Sequence, residues 1–231
     1  MASPGTGLPT VSGRPGKRAF DVVAGTILAV LALPVIGVFA VMVCVDLRTR
    51  HPFFRQPRAG RGGKPFILPK LRTLPGTAPA AANKYLIATV PTTRLGRFLR
   101  NSHLDELPQL LLVPLGRMSL VGPRPEMPWL LESFDPAFVA ARSQLRPGCT
   151  GLWQIGIGAR KLIGESPEYD LCYMSHVNLR LDLWILWRSL LVMAGCKPLA
   201  RAVLPRWTRR AQPHVAPRIG EELEVAVPMA G

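Results

Sequence analysis

Asp105 and Glu106 are adjacent carboxylates, and no other Asp or Glu lies between Asp46 and Glu126. Basic residues crowd the same interval of a 231-residue chain whose net charge is +15. An acidic pair isolated in so cationic a setting points to chemistry rather than to solubility. Two neighbouring carboxylates can divide labour. One attacks phosphorus as a nucleophile, and the other holds a hard cation such as Mg²⁺, which takes one or two carboxylates plus substrate phosphate oxygens. Arginines around them would neutralise charge developing on phosphoryl oxygens. The residues alone leave the two carboxylates interchangeable. They also leave a plainer reading, because Ser102 stands three residues before Asp105, the spacing of a capping box that opens a helix. Pro108 places the start of that helix at or after Asp105, where the dipole favours negative charge and backbone N–H groups can bind anions. A corner of Pro123, Arg124 and Pro125 follows, with a guanidinium on a stiff turn.

The elements that must position these groups are legible in outline. Lys17 and Arg18 introduce an uncharged apolar run from Val22 to Val45, too long for the apolar part of a signal peptide. At about 1.5 Å per residue it can cross a hydrocarbon core of roughly 30 Å. Two features favour a re-entrant helix-break-helix instead of a span. Pro34 lies at the midpoint and removes a backbone hydrogen bond. The basic flanks are symmetrical, Lys17 and Arg18 before and Arg48 and Arg50 after, so both ends prefer the cytoplasmic face. Arg18 and Asp21 are spaced as an i,i+3 pair. Phe53/Phe54 and Phe66-Ile67-Leu68 read as two short strands around a Gly-rich turn. Lys70 and Arg72 then face one way as candidate phosphate ligands, whereas Arg48, Arg50, Arg58 and Arg61 read as a solvated or headgroup-facing surface. Thr93 caps a short helix carrying Arg100. A buried apolar helix is expected over Leu107–Leu115, another over Trp129–Gln144, and a turn into a strand over Arg146–Gln154. Leu179–Met193 reads as an interfacial or core helix with Trp184 and Trp187 at headgroup depth.

The whole is α+β and mostly helical, divided as a disordered lead-in (1–16), a membrane helix (17–47), a globular domain with short strands (48–197) and a Pro/Arg-rich tail (198–231). The charge calls for an anionic partner, and the high apolar content (48%) with few aromatics (7%) favours a membrane over nucleic acid. Four cysteines without a C-x-x-C pair read as reduced and structural, with no zinc site.

Seven blocks, in order from residue 17 to about 195, resemble the bacterial sugar transferase family. They are Lys17-Arg18-x-Phe20-Asp21, Pro52-x-Phe54-Arg55-Gln56-x-Arg58-x-Gly60, Lys70-x-Arg72-Thr73, Asp105-Glu106-Leu107-Pro108-Gln109-Leu110, Ser119 through Glu126, Pro147-Gly148-x-Thr150-Gly151-Leu152-Trp153-Gln154, and Tyr169-Asp170-x-x-Tyr173 with Leu181-Asp182-Leu183. The resemblance implies a monotopic phosphoglycosyl transferase of the small, core-only form, on the cytoplasmic face of the bacterial inner membrane. It implies that a UDP-sugar donates a phosphosugar to polyprenyl phosphate by a two-step ping-pong reaction. Asp105 would attack the β-phosphate and release UMP, Glu106 would hold or position Mg²⁺ beside Asp105, and Arg100 and Arg124 would hold phosphates. Gln154 and Asp170 match motifs and take supporting roles. The re-entrant break falls on Pro34. After Gln154 the sequence departs from the family pattern, which leaves Arg160 as an inexact equivalent of the family's arginine. A homodimer stays open, and no nucleic acid is expected. The sugar and the glycan pathway have no residue to assign them.

The rival from another class is a non-catalytic basic protein of the membrane surface, with the acidic pair as a cap. A CDP-alcohol phosphotransferase would need several aspartates along helices and multiple spans, and the chain has neither.

Overall fold

A computed structural model describes residues 15–76 and 90–199. Most of the expected lead-in, the Ala/Pro-rich stretch after Gly76 and nearly all of the tail lie outside the described residues. The fold is mostly helical with short strands and one long apolar N-terminal helix.

That helix, α1, runs without interruption from Pro15 to Asp46 and contains Pro34. The expected division into two short helices is therefore corrected. Proline forfeits one backbone hydrogen bond, yet the helix continues past it, and Ala32 and Ile36 on either side pack with Leu71. Buried positions Asp21, Gly25, Ala29, Ala32, Ile36 and Val43 recur at helical spacing and form a stripe facing the rest of the protein. The opposite face exposes Val23, Ile27, Leu31, Val38, Val41 and Val45.

Both ends of α1 are tied to the same body. Lys17 Nζ pairs with Asp182 at 2.6 Å and donates to the Val121 carbonyl at 2.9 Å. Arg18 donates to the carbonyls of Val113 and Pro114. Asp21 accepts from the Ser119 hydroxyl and the Leu120 N–H. The expected Arg18–Asp21 pair does not form, because each finds a better-fixed partner across the fold. At the far end Thr93 Oγ1 donates to Asp46 at 2.6 Å, and Phe39 meets Phe98.

Two small sheets follow. Strands β1 (Phe53–Ala59) and β2 (Pro65–Leu71) are antiparallel, with Gln56 opposite Leu68 and Arg58 opposite Phe66, joined through Gly62 and Gly63 at positive φ. Strands β3 (Ser119–Val121) and β4 (Gly148–Thr150) are parallel. Here backbones press together, and a Cβ on Gly148 would fall onto the Gly122 nitrogen and the Thr150 carbonyl oxygen. Helix α2 (Arg94–Asn101) is capped by Thr93, as its spacing predicts. The helix expected over Trp129–Gln144 is two, α3 (Pro128–Leu131) and α4 (Pro136–Arg142), because Pro136 begins a new helix capped by Asp135. Helices α5 (Glu168–His176) and α6 (Leu179–Met193) close the fold. The core gathers Leu68, Met118, Leu120, Trp153, Tyr173 and Leu181 between the sheets and these helices.

Candidate active site

Asp105 and Glu106 lie in the first turn of a 3₁₀ segment, Leu104–Leu112, packed against α1 and β2. It begins one residue before the pair and is tighter than the expected α-helix, with Pro108 inside. Ser102 does not cap it. Its hydroxyl donates back to the carbonyls of Phe98 and Leu99, ending α2. The chain turns instead at His103, whose φ of 57° redirects the backbone so that the acidic pair leads the next segment.

The two carboxyls are shifted in opposite directions. Asp105 is 9% exposed and, among the described residues, accepts no hydrogen bond. Burial pushes its carboxyl up to about 6, against the opposing charge of Lys70. Glu106 is also penalised by burial, yet Lys70 and Arg124 outweigh that penalty and hold it down at about 2. Lys70 Nζ donates to Glu106 Oε1 at 2.5 Å, and Arg124 Nη2 lies 3.9 Å from the same oxygen. Glu106 Oε2 has no partner among the described residues. Paired groups with separated pKa values are the usual mark of divided catalytic roles.

Arg124 is fixed through its backbone. The Gly148 N–H donates to the Pro123 carbonyl at 2.9 Å, Arg142 donates to the Arg124 carbonyl at 2.6 Å, and Arg58 donates to the Pro125 carbonyl at 2.9 Å. All three carbonyls of the Pro-Arg-Pro corner are thereby held. The guanidinium stays partly open, 3.7 Å from Glu126 and 5.5 Å from the centre of the Trp153 ring. Glu106, Lys70, Arg124 and Pro125 line one pocket with Arg58 and Cys149.

The remaining candidates are distributed differently. Arg100, on α2, reaches Asp105 through its charge and makes no ion pair among the described residues. Arg72 turns away from Lys70, because β2 ends at Leu71; its Nε donates to the His51 carbonyl at 3.1 Å. The expectation that Lys70 and Arg72 face one way is corrected. Asp170 is 2% exposed and pairs with Arg142 at 3.1 Å, so it stands behind the Arg124 corner rather than beside the carboxylates. Gln154 keeps both ends of its amide buried and unpartnered among the described residues, with its oxygen close to where a Gly151 Cβ would stand. Arg160 ends a 3₁₀ turn, Ile157–Arg160.

Three contributors escape a reading by spacing. Arg58, expected at the surface, is 7% exposed and pairs with Glu126 at 3.3 Å while donating to Gln56. Strand alternation carried the signal, since Gln56 and Arg58 share the inward face of β1. Glu126 and Arg142 carried none for their buried pairs, because Arg58 and Asp170, with which they pair, are distant in sequence. Arg48, Arg50 and Arg61 are exposed as expected.

The geometry agrees with comparison to known proteins. The chain matches the bacterial sugar transferase family over residues 12–195. It is 37% identical over 209 residues to the UDP-glucose:undecaprenyl-phosphate glucose-1-phosphate transferase of Caulobacter vibrioides, covering 84% of this chain and 73% of that protein. It is 38% identical over 200 residues to the uncharacterized sugar transferase EpsL of Bacillus subtilis, covering 83% and 95%. A UDP-N-acetylgalactosamine-undecaprenyl-phosphate N-acetylgalactosaminephosphotransferase of Aeromonas hydrophila is 31% identical over 183 residues, covering 75% of this chain and 42% of the relative. With an acidic pair at a buried turn, a fixed arginine corner and a long apolar helix in one fold, and with residues 12–195 matched, this chain belongs to the bacterial sugar transferase family.

Proposed function

We propose that the chain transfers a sugar 1-phosphate from a UDP-sugar to undecaprenyl phosphate, the initiating step of a membrane-linked polysaccharide, and that Asp105 carries the sugar phosphate between donor and acceptor. The observation that carries the assignment is the split state of the pair. Asp105 has no hydrogen-bond donor to satisfy it, while Glu106 is held as a carboxylate by Lys70 and Arg124. An Oδ lone pair of Asp105 forms a bond to the β-phosphorus. The bond from that phosphorus to the bridging oxygen breaks, and UMP leaves with its electron pair. An oxygen of the lipid phosphate then attacks the same phosphorus and displaces the Asp105 carboxylate, which returns ionised. Lys70, Arg100 and Arg124 lower the cost of the charge on the phosphoryl oxygens.

Mg²⁺ fits the donor set. Glu106 Oε2 is open, Asp105 is adjacent, and phosphate oxygens of the donor would supply much of the remaining shell. The ion would supply charge neutralisation at the pyrophosphate.

The membrane reading follows from α1. A lipid-carrier substrate and one long apolar helix imply membrane association. Helix α1, Pro15–Asp46, is roughly 48 Å long, yet Lys17 near its start and Asp46 at its end both contact the same globular body. That supports a monotopic placement on the cytoplasmic face of the inner membrane, since a crossing would carry one end away from the body.

Purified protein mixed with radiolabelled UDP-sugars and Mg²⁺, without acceptor, is expected to retain label on the wild-type chain and none on Asp105→Ala. Absence of UMP release from every UDP-sugar tried, with undecaprenyl phosphate present, would sink the assignment.

A further inference from the structure

A second cationic cavity lies at the foot of α1, with a volume of about 230 Å³. It shares no lining residue with the pocket of Glu106 and Arg124. Strand β3 lends it Ser119 and Val121, whereas β4 lends Gly148 and Cys149 to the other pocket. Lys17, Arg18, Arg61 and Arg146 converge on it from the start of α1, the β1–β2 turn and the loop before β4.

The charges there are poorly compensated. Lys17 is taken by Asp182. Arg18 and Arg146 donate only to neutral carbonyls, those of Val113, Pro114 and Gly116. Arg61 has no partner among the described residues. The single lining carboxylate, Asp21, accepts from the Ser119 hydroxyl and the Leu120 N–H, not from an arginine. Arg18 and Arg61 in turn help depress the Arg146 guanidinium, after burial. Three guanidiniums facing one cavity without a carboxylate partner present N–H donors that suit the oxygens of a phosphate. Lys17 and Arg18 stand at the start of the apolar stretch of α1, and on the membrane placement proposed above, basic side chains flanking such a stretch lie at the level of lipid headgroups.

We propose that Arg18, Arg61 and Arg146 form a phosphate-binding site at headgroup depth, separate from the reacting centre. The phosphate comes from an anionic phospholipid or from solution, and the ligand chemistry is the same in both.

The test uses the full chain in neutral detergent and phosphate-free buffer. Thermal unfolding is followed with short-chain phosphatidylglycerol, with inorganic phosphate and with short-chain phosphatidylcholine. Arg61→Gln is the diagnostic variant, because Arg61 is exposed and makes no bond that folding needs; Arg97→Gln, exposed on α2 near the other end of α1, controls for charge alone. In the wild type, phosphatidylglycerol at ten times its Kd is expected to raise Tm by roughly 3–5 °C. That shift should be largely lost in Arg61→Gln and kept in Arg97→Gln. A matching shift with inorganic phosphate makes phosphate sufficient, and a shift with phosphatidylglycerol only assigns the source to the bilayer. An unchanged shift in Arg61→Gln, an equal loss in Arg97→Gln, or an equal shift with phosphatidylcholine each overturns the site.

Discussion

Asp105 sits where its own ionisation is costly. Its carboxyl is raised from 3.8 to about 6, so the folded chain holds that proton more tightly than the unfolded chain does. The penalty is absent below 3.8, grows as pH rises through about 6, and is full at neutral pH. At about 1.4 kcal/mol per unit it reaches at most about 3 kcal/mol. Asp105→Asn should therefore raise Tm at pH 7.5 while lowering transfer at least about 10³-fold, and calorimetry beside an assay checks both on one sample. The same ionisation predicts an acid limb in kcat/KM near pH 6. Lys70 is the largest charge holding Asp105 down, so Lys70→Ala should move that limb to higher pH. A limb left in place would show that another group controls it.

Elements act here mainly by immobilising one another. The Pro-Arg-Pro corner has its carbonyls fixed from β4, from α4 and from β1, and α4 is in turn anchored to α5 through Arg142 and Asp170. Arg142→Lys keeps the charge opposite Asp170 but cannot reproduce a guanidinium that serves Asp170 and the Arg124 carbonyl together. Loss of that charge-assisted bond is expected to lower transfer roughly 10- to 100-fold with far-ultraviolet circular dichroism unchanged. A variant as active as the wild type would show that the corner holds without α4. The Arg58–Glu126 pair is buried on both sides. Glu126→Gln leaves Arg58 facing burial with less counter-charge and is expected to cost about 3–5 kcal/mol in a denaturant titration.

At the scale of the whole molecule, α1 belongs to the fold as much as to the membrane. Lys17 joins Asp182, which also accepts from the Tyr173 hydroxyl at 2.8 Å, so the start of α1 is locked to α5 and α6. Cysteines introduced at Gly16 and Arg50, in a chain whose native cysteines are replaced by serine, should both be labelled from the cytoplasmic side only. Labelling from opposite faces would make α1 a span.

The sequence by itself determined the acidic pair, the apolar helix, the hairpin of β1 and β2 and the family, because each is a local pattern of residue type and spacing. Even there, local rules misjudged details. Ser102 had capping spacing but ends the preceding helix, Pro34 failed to break α1, and Pro136 split a helix whose apolar spacing looked continuous. Only the tertiary structure decided how the two carboxylates differ. Adjacent in sequence, Asp105 and Glu106 are chemically similar until Lys70, 36 residues away, and Arg124 pair with Glu106 and leave Asp105 buried without a donor. The same holds for Arg58 and Asp170, whose partners Glu126 and Arg142 lie elsewhere along the chain. Charge state depends on burial and on neighbours brought together by folding, and no spacing along the chain encodes either.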